Sequence, residues 1–181
     1  KKLKMRILPF VMLLLLVSCN QSEPVEQKED TGPTVIGYEM NDDKNPVDIV
    51  AGDMASTEVV KAFFGAYNNA DLETVKTMEH EDVMYYTPSG AVIEGRDAHL
   101  EMAKEFLDAN ENPQWKIKWS MSGNVNFESK DVENWVTSGV DVSFGPDTAR
   151  TTLSRVVDLM IVDSKVKKGY VYQREPAESE K

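Results

Sequence analysis

The hydrophobic period of this chain changes once, at Pro113, and that change limits the folds open to it. Before Pro113, apolar residues recur every three or four positions; after it they alternate. Val59, Val60, Phe63, Phe64 and Tyr67 make one stripe, predicting a helix from Ser56, capped by Ser56 or Thr57 with Glu58 in the first turn. Asn68-Asn69-Ala70-Asp71 breaks it, and Asp71 caps a shorter helix whose core positions are Leu72, Val75 and Met78. Residues 83–86 read as a short strand ended by the turn Thr87-Pro88-Ser89-Gly90, and Val92-Ile93 pairs back. A third helix over 96–109 buries Leu100, Ala103, Phe106 and Leu107. Past Pro113, Trp115, Ile117, Trp119 and Met121 point one way and Lys116, Lys118 and Ser120 the other, with Val125 and Phe127 extending the strand. Strands over 134–144, 149–162 and 166–173 follow, separated by Gly145-Pro146-Asp147 and Asp163-Ser164-Lys165. Helices followed by a meander of antiparallel strands predict an α+β fold, with three N-terminal helices on one face of the sheet.

The N-terminus predicts a destination. Lys1, Lys2, Lys4 and Arg6 precede an apolar run over 7–17, which contains Pro9 and then gives way to polar sequence. This is the layout of a secretory signal. The run is shorter than the roughly 20 residues that span a bilayer. Leu16-Val17-Ser18-Cys19 resembles a bacterial lipobox, and Cys19 is the only cysteine in the chain. The resemblance implies cleavage before Cys19 and acylation of its sulfur. Residues 1–18 are then a lipoprotein signal peptide, and the membrane is reached through a lipid anchor. Each buried methylene of such an anchor contributes about 0.8 kcal/mol. The expected location is the bacterial cell envelope, at the outer membrane or cell surface.

Residues 19–52 have few apolar residues and no sustained period, and 20–30 are strongly acidic. They read as a flexible tether, with Val35-Ile36-Gly37-Tyr38 able to dock as a short strand. The folded domain is expected over 53–176, and 177–181 as a frayed, disordered tail. The net charge of −11 becomes more negative once the four leader cations are removed. Such a surface repels nucleic-acid phosphates and excludes binding to anionic lipid by charge. No Gly-rich phosphate loop, zinc spacing or internal repeat is present, so no cofactor and no metal are expected.

Asp158 is the only acid inside the apolar run 156–162. Burial disfavours its ionised form, which makes it either a catalytic pocket acid or a structural group paired with an indole, a tyrosine hydroxyl or Arg155. His80, in a turn, and His99, in an amphipathic helix, read as exposed or edge residues. Phe63, Tyr67, Tyr85, Trp115, Trp119 and Trp135 are candidates to line a hydrophobic ligand pocket, or are plain core. Ser120, Ser138 and Ser154 lack any nucleophile-elbow context. The second apolar face of 156–162 predicts a cover, for which a homodimer is the preferred explanation.

Four phrases carry a family resemblance: Phe63 through Leu72, Asp82 through Gly90, Glu94-Gly95-Arg96-Asp97-Ala98, and Val157 through Val162. With the order of elements, they resemble a nuclear transport factor 2-like domain of the SnoaL-like (polyketide cyclase and ketosteroid isomerase) kind over 56–175. The resemblance implies a conical fold whose curved antiparallel sheet wraps a helix and leaves an apolar pocket at one end. In the isomerase branch a general-base Asp, an oxyanion-donating Tyr and a protonated Asp do the chemistry. The matching positions here are Thr87, Phe63 and Asp158, so one of three survives and isomerase chemistry of that type is disfavoured. Two functions stay open. The favoured one is a tethered module binding a small hydrophobic ligand or a protein partner. The alternative is an enzyme of isomerase, cyclase or hydrolase type using Asp158 with Tyr67 or Tyr85. The discriminating feature is whether Asp158 points into the pocket.

Overall fold

The computed structural model describes residues 32–127 and 131–177. The expected signal peptide, Cys19, the acidic run after it and tail residues 178–181 lie outside the described residues. The described residues from Pro33 onward form one unit. Its elements are β1 (Val35–Met40), β2 (Pro46–Ala51), α1 (Met54–Asn68), α2 (Leu72–Thr77), β3 (Glu79–Tyr86), β4 (Val92–Glu94), α3 (Arg96–Ala109), β5 (Gln114–Val125), β6 (Glu133–Phe144), β7 (Thr151–Val162) and β8 (Lys165–Arg174). The eight strands make one sheet in the order β1-β2-β5-β6-β7-β8-β3-β4.

Three features depart from the expectation. First, residues 35–51 are not spacer. They form a hairpin that joins the sheet through β2, with Ile49 opposite Val125 and Ala51 opposite Gly123. The turn is set by Asn41, whose carbonyl accepts from Lys44 N and whose Oδ1 accepts from Asn45 N, with Lys44 at φ 61. Pro46 is tolerated because it is the first strand residue. The folded unit therefore starts about twenty residues earlier than residue 53. Second, β3 pairs in parallel with β8, so the sheet is mixed rather than wholly antiparallel. The connection from β3 to β8 spans α3 and four strands, long enough for a parallel return. Third, Asp53 rather than Ser56 or Thr57 caps α1, accepting from Ala55 N at 2.8 Å. Asp71 caps α2 as expected, accepting from Thr74 N and Thr74 Oγ1.

The core lies between the helices and one face of the sheet. Val60, Phe63, Phe64 and Tyr67 of α1 meet Val136, Val140, Val142, Val157, Leu159 and Val166. Each such side chain, fully buried, contributes about 1.5–3 kcal/mol. α1 packs on β5 and β6, and α3 on β3 and β4. In the strand order this leaves the helix side of β7 and β8 lying between the two helices.

One extra residue changes what β5 presents. Ile117 is opposite Val140, yet Trp119 is opposite Gly139, so Lys118 is a bulge. Side chains alternate with period 2, and the bulge moves every later residue to the other face. Trp115 and Ile117 face the helices as expected. Trp119 and Met121 face away, and Ser120 and Ser122 take the inner positions, with Ser120 Oγ 2.8 Å from Ser138 Oγ.

Candidate functional site

The interior holds a polar chain that runs through the apolar core. Tyr67 on α1 and His99 on α3 meet across the helix side of the sheet, with the hydroxyl 3.0 Å from His99 Nε2. His99 Nδ1 stands 2.6 Å from Oε1 of Glu79, the first residue of β3. The same Oε1 accepts a hydrogen bond from the Tyr85 hydroxyl at 2.6 Å. Glu79 is 0% exposed and His99 6%. The Nδ1 approach lies off hydrogen-bond geometry, and Glu79 Oε2 has no hydrogen-bond partner among the described residues. In the tautomer that lets Tyr67 donate to Nε2, the other ring proton faces Glu79.

Packing fixes these groups. The Tyr85 ring lies 4.0 Å, centroid to centroid, from His99, and Tyr67 lies 5.1 Å from Trp115. Asn68, the last residue of α1, clamps the Trp115 backbone, its Oδ1 accepting from Trp115 N and its Nδ2 donating to Trp115 O. Gly169 is required beside Tyr85, because a Cβ there would meet the Tyr85 ring at 2.5 Å. Burial, and then the charge of Glu79, raise the Tyr67 pKa, while Arg155 lowers it in part. Burial leads again at Tyr85, followed by the charge of Glu79. Both phenols are therefore donors at any physiological pH.

Arg155 faces the same side. It is opposite Val140 on β6 and Gln173 on β8, and its Nε donates to Gln173 Oε1 at 2.9 Å. Around it on this face Ile117, Leu153 and Val171 are half-buried. Burial lowers its pKa.

Asp158 is on the other face. Its cross-strand neighbours are Thr137 and Tyr170, and Thr137 Oγ1 donates to its Oδ1 at 2.8 Å. Val157 and Leu159 on either side of it enter the core, so the pleat turns Asp158 away from the helices. Burial raises its pKa, as expected, and the Thr137 bond partly opposes that. The expectation that it is the pocket acid beside Tyr67 and Tyr85 is thus corrected: the sheet lies between them. Trp135 also faces outward, stacked 5.8 Å from Tyr170, which stacks 4.6 Å from Tyr86. Beside this row is an open groove of about 810 Å³, lined by Lys118, Trp119, Asp141, Ser154, Val156 and Tyr172, and also by Arg155 and Gln173. Trp119 reaches across Gly139, where a Cβ would sit 2.2 Å from Trp119 Nε1.

Of the six expected pocket residues, Phe63, Tyr67, Tyr85 and Trp115 come together inside, and Trp119 and Trp135 do not. His99, expected at an edge, is buried at the centre. Thr87 bonds Ala91 O and Ser89 within its own turn. Glu79 was invisible in sequence, because it sits in the acidic run Glu79-His80-Glu81-Asp82, where Glu81 and Asp82 are exposed. Arg155 carried a signal, as a cation inside an alternating strand at a position in phase with Val157 and Leu159.

A family model described as a SnoaL-like domain matches residues 60–165. Among solved structures, a Kribbella flavida DSM 17836 protein provisionally assigned as a ketosteroid isomerase is 19% identical, covering 71% of this chain and 84% of its own, with a TM-score of 0.55. An M. tuberculosis LEH-like epoxide hydrolase is 15% identical, covering 66% and 82%, with a TM-score of 0.51. A protein of ketosteroid isomerase-like fold from Catenulispora acidiphila DSM 44928, solved with trimethylamine, is 18% identical, covering 64% and 84%, with a TM-score of 0.50. At these identities the likeness establishes the fold alone. No curated protein matches the sequence.

Proposed function

The chain belongs to the SnoaL-like domain family, its match spanning residues 60–165, and on that premise we propose that it is an exported, lipid-anchored module that binds a small hydrophobic molecule on the helix side of β7 and β8. One observation carries the reading. The Tyr67–His99 hydrogen bond joins α1 to α3 across that face, and beyond it Ile117, Leu153 and Val171 stay half-buried rather than sealed. This is an apolar floor with a polar inner wall, the composition of a small-molecule site. Tyr67 bonds His99 and Tyr85 bonds Glu79, and Asp158 is on the wrong face to serve the same site, which favours binding over catalysis. Acyl chains on Cys19 supply the anchor, and a second copy covers the outer face, where Trp119, Met121, Val156 and Tyr172 lie exposed.

A second reading has one observation in its favour. Hydroxyl, imidazole and carboxylate stand in the order of a proton relay at Tyr67, His99 and Glu79. In that reading the domain is an enzyme and the relay replaces Asp158.

The test is fluorescence titration of the full chain with phenylnaphthylamine, a neutral dye that brightens on apolar burial. Saturable enhancement is expected, abolished by Leu153→Trp, which fills the site, and kept by Val156→Ser on the other face. Enhancement that survives Leu153→Trp and is lost in Val156→Ser would move the site to the outer groove. Native mass spectrometry of the same sample counts subunits and any retained small molecule.

A further inference from the structure

Resting on the reading of an apolar site between α1 and α3, we propose that Arg155 recognises an oxyanion on the ligand, so that the molecule bound is a hydrophobic organic acid. The argument starts from the surroundings of the guanidinium. Along β7 its same-face neighbours are Leu153 and Val157, and across the strands they are Val140 and Gln173. A half-buried cation among apolar side chains is ordinarily paired with a carboxylate, because its desolvation is otherwise uncompensated. Among the described residues, Arg96 and Arg150 have such partners, Glu81 and Asp147. Among the same residues Arg155 has no carboxylate within ion-pair distance, and its side-chain hydrogen bond goes to neutral Gln173.

The nearby acids do not fill the gap. Asp158 is on the opposite face and accepts from Thr137. Glu79 accepts from Tyr85 and stands beside His99 through Oε1, and no ion pair joins it to Arg155 among the described residues. The titratable group that acts on Arg155 is the Tyr67 phenol, a donor and not an anion. Gln173 takes only Nε, which leaves the paired Nη nitrogens of a planar fork that matches the two oxygens of a carboxylate or sulfonate. The apolar floor of Ile117, Leu153 and Val171 then receives the body of the molecule while Arg155 takes its head.

The experiment titrates the full chain with two dyes of the same ring system, anilinonaphthalene sulfonate and neutral phenylnaphthylamine. The sulfonate is expected to bind at least about tenfold tighter, the worth of one charged hydrogen bond. Arg155→Gln should erase that preference and leave the neutral dye unchanged. Arg155→Lys should keep part of it, and Tyr172→Ser on the outer face all of it. Equal affinity for the two dyes, a preference that survives Arg155→Gln, or one lost in Tyr172→Ser overturns the assignment while leaving the apolar site in place. If neither dye binds, the apolar site itself is refuted and the assignment with it. Should Arg155→Gln fail to fold by near-ultraviolet circular dichroism, salt decides on the unaltered chain. Sulfonate affinity that falls with ionic strength while neutral-dye affinity holds supports the assignment, and parallel behaviour overturns it.

Discussion

His99 Nδ1, on α3, stands 2.6 Å from Oε1 of Glu79 at the head of β3, where the carboxylate is wholly out of solvent. This pair ties the third helix to the strand that pairs in parallel with β8. Through Tyr67 and Tyr85 it also reaches α1 and the middle of β3. A hydrogen-bonded group buried at such a junction specifies one packing, since any shift leaves it unpaired.

Glu79→Ala should therefore cost about 3–5 kcal/mol, because His99 and Tyr85 lose their shared partner inside the core. Glu79→Leu combined with His99→Leu should cost less than the sum of the single changes. Urea denaturation of the three variants measures the coupling. Additive costs would mean that the two side chains do not act as a unit.

Asp158→Asn should stabilise the fold at neutral pH. Burial raises the folded-state pKa above the unfolded value. Between those two values the unfolded chain gives up its proton first, so stability falls as pH rises through that window and the penalty persists above it. Below the usual carboxylate range both states are protonated and the advantage of Asn disappears. Melting temperatures of the two proteins across acid and neutral pH should converge at the acid end. A constant gap would assign the effect to something other than ionisation. The same variant should bind phenylnaphthylamine normally, since the sheet separates position 158 from the proposed site.

Gly169→Ala and Gly139→Ala should differ sharply. At 169 the new methyl meets the buried Tyr85 ring at 2.5 Å and Leu159 at 2.9 Å. Overpacking of that kind costs about 1–3 kcal/mol, and here it also disturbs the Tyr85–Glu79 bond. At 139 the three atoms nearest the methyl all belong to Trp119, which is 48% exposed and free to swing away. Chemical denaturation should register the first change. The second should appear chiefly as a shift in tryptophan emission.

Cys19→Ala should release the protein from the membrane. The proposed anchor predicts that the native chain partitions into the detergent phase of a cloud-point extraction and carries the mass of its acyl chains. The variant should partition into water at the unmodified mass. A native chain that stays aqueous with its sulfur free would remove the anchor from the proposal.

Much of the chain was legible beforehand for one reason: helices and strands write their period locally. The stripe of α1, the Asp71 cap, the Gly95 entry to α3 and the alternation of β6 through β8 all follow from neighbours a few residues apart. The hairpin of β1 and β2 was not legible as part of the sheet. Its own sequence is short, and what holds it is β5, more than seventy residues away. In the proposed site, the aromatic residues of α1 and β3 could be named from their stripes, while Glu79 could not.

By itself the sequence determined most of the local conformations and the turns that separate them. Tertiary structure alone decided the faces. A single bulge at Lys118 turned Trp119 outward, and the pleat of β7 put Arg155 inside and Asp158 outside. Folding also sealed one glutamate of an acidic run against a histidine. The physical reason is that periodicity is a property of neighbouring residues, whereas burial and charge pairing depend on segments that only the folded chain brings together.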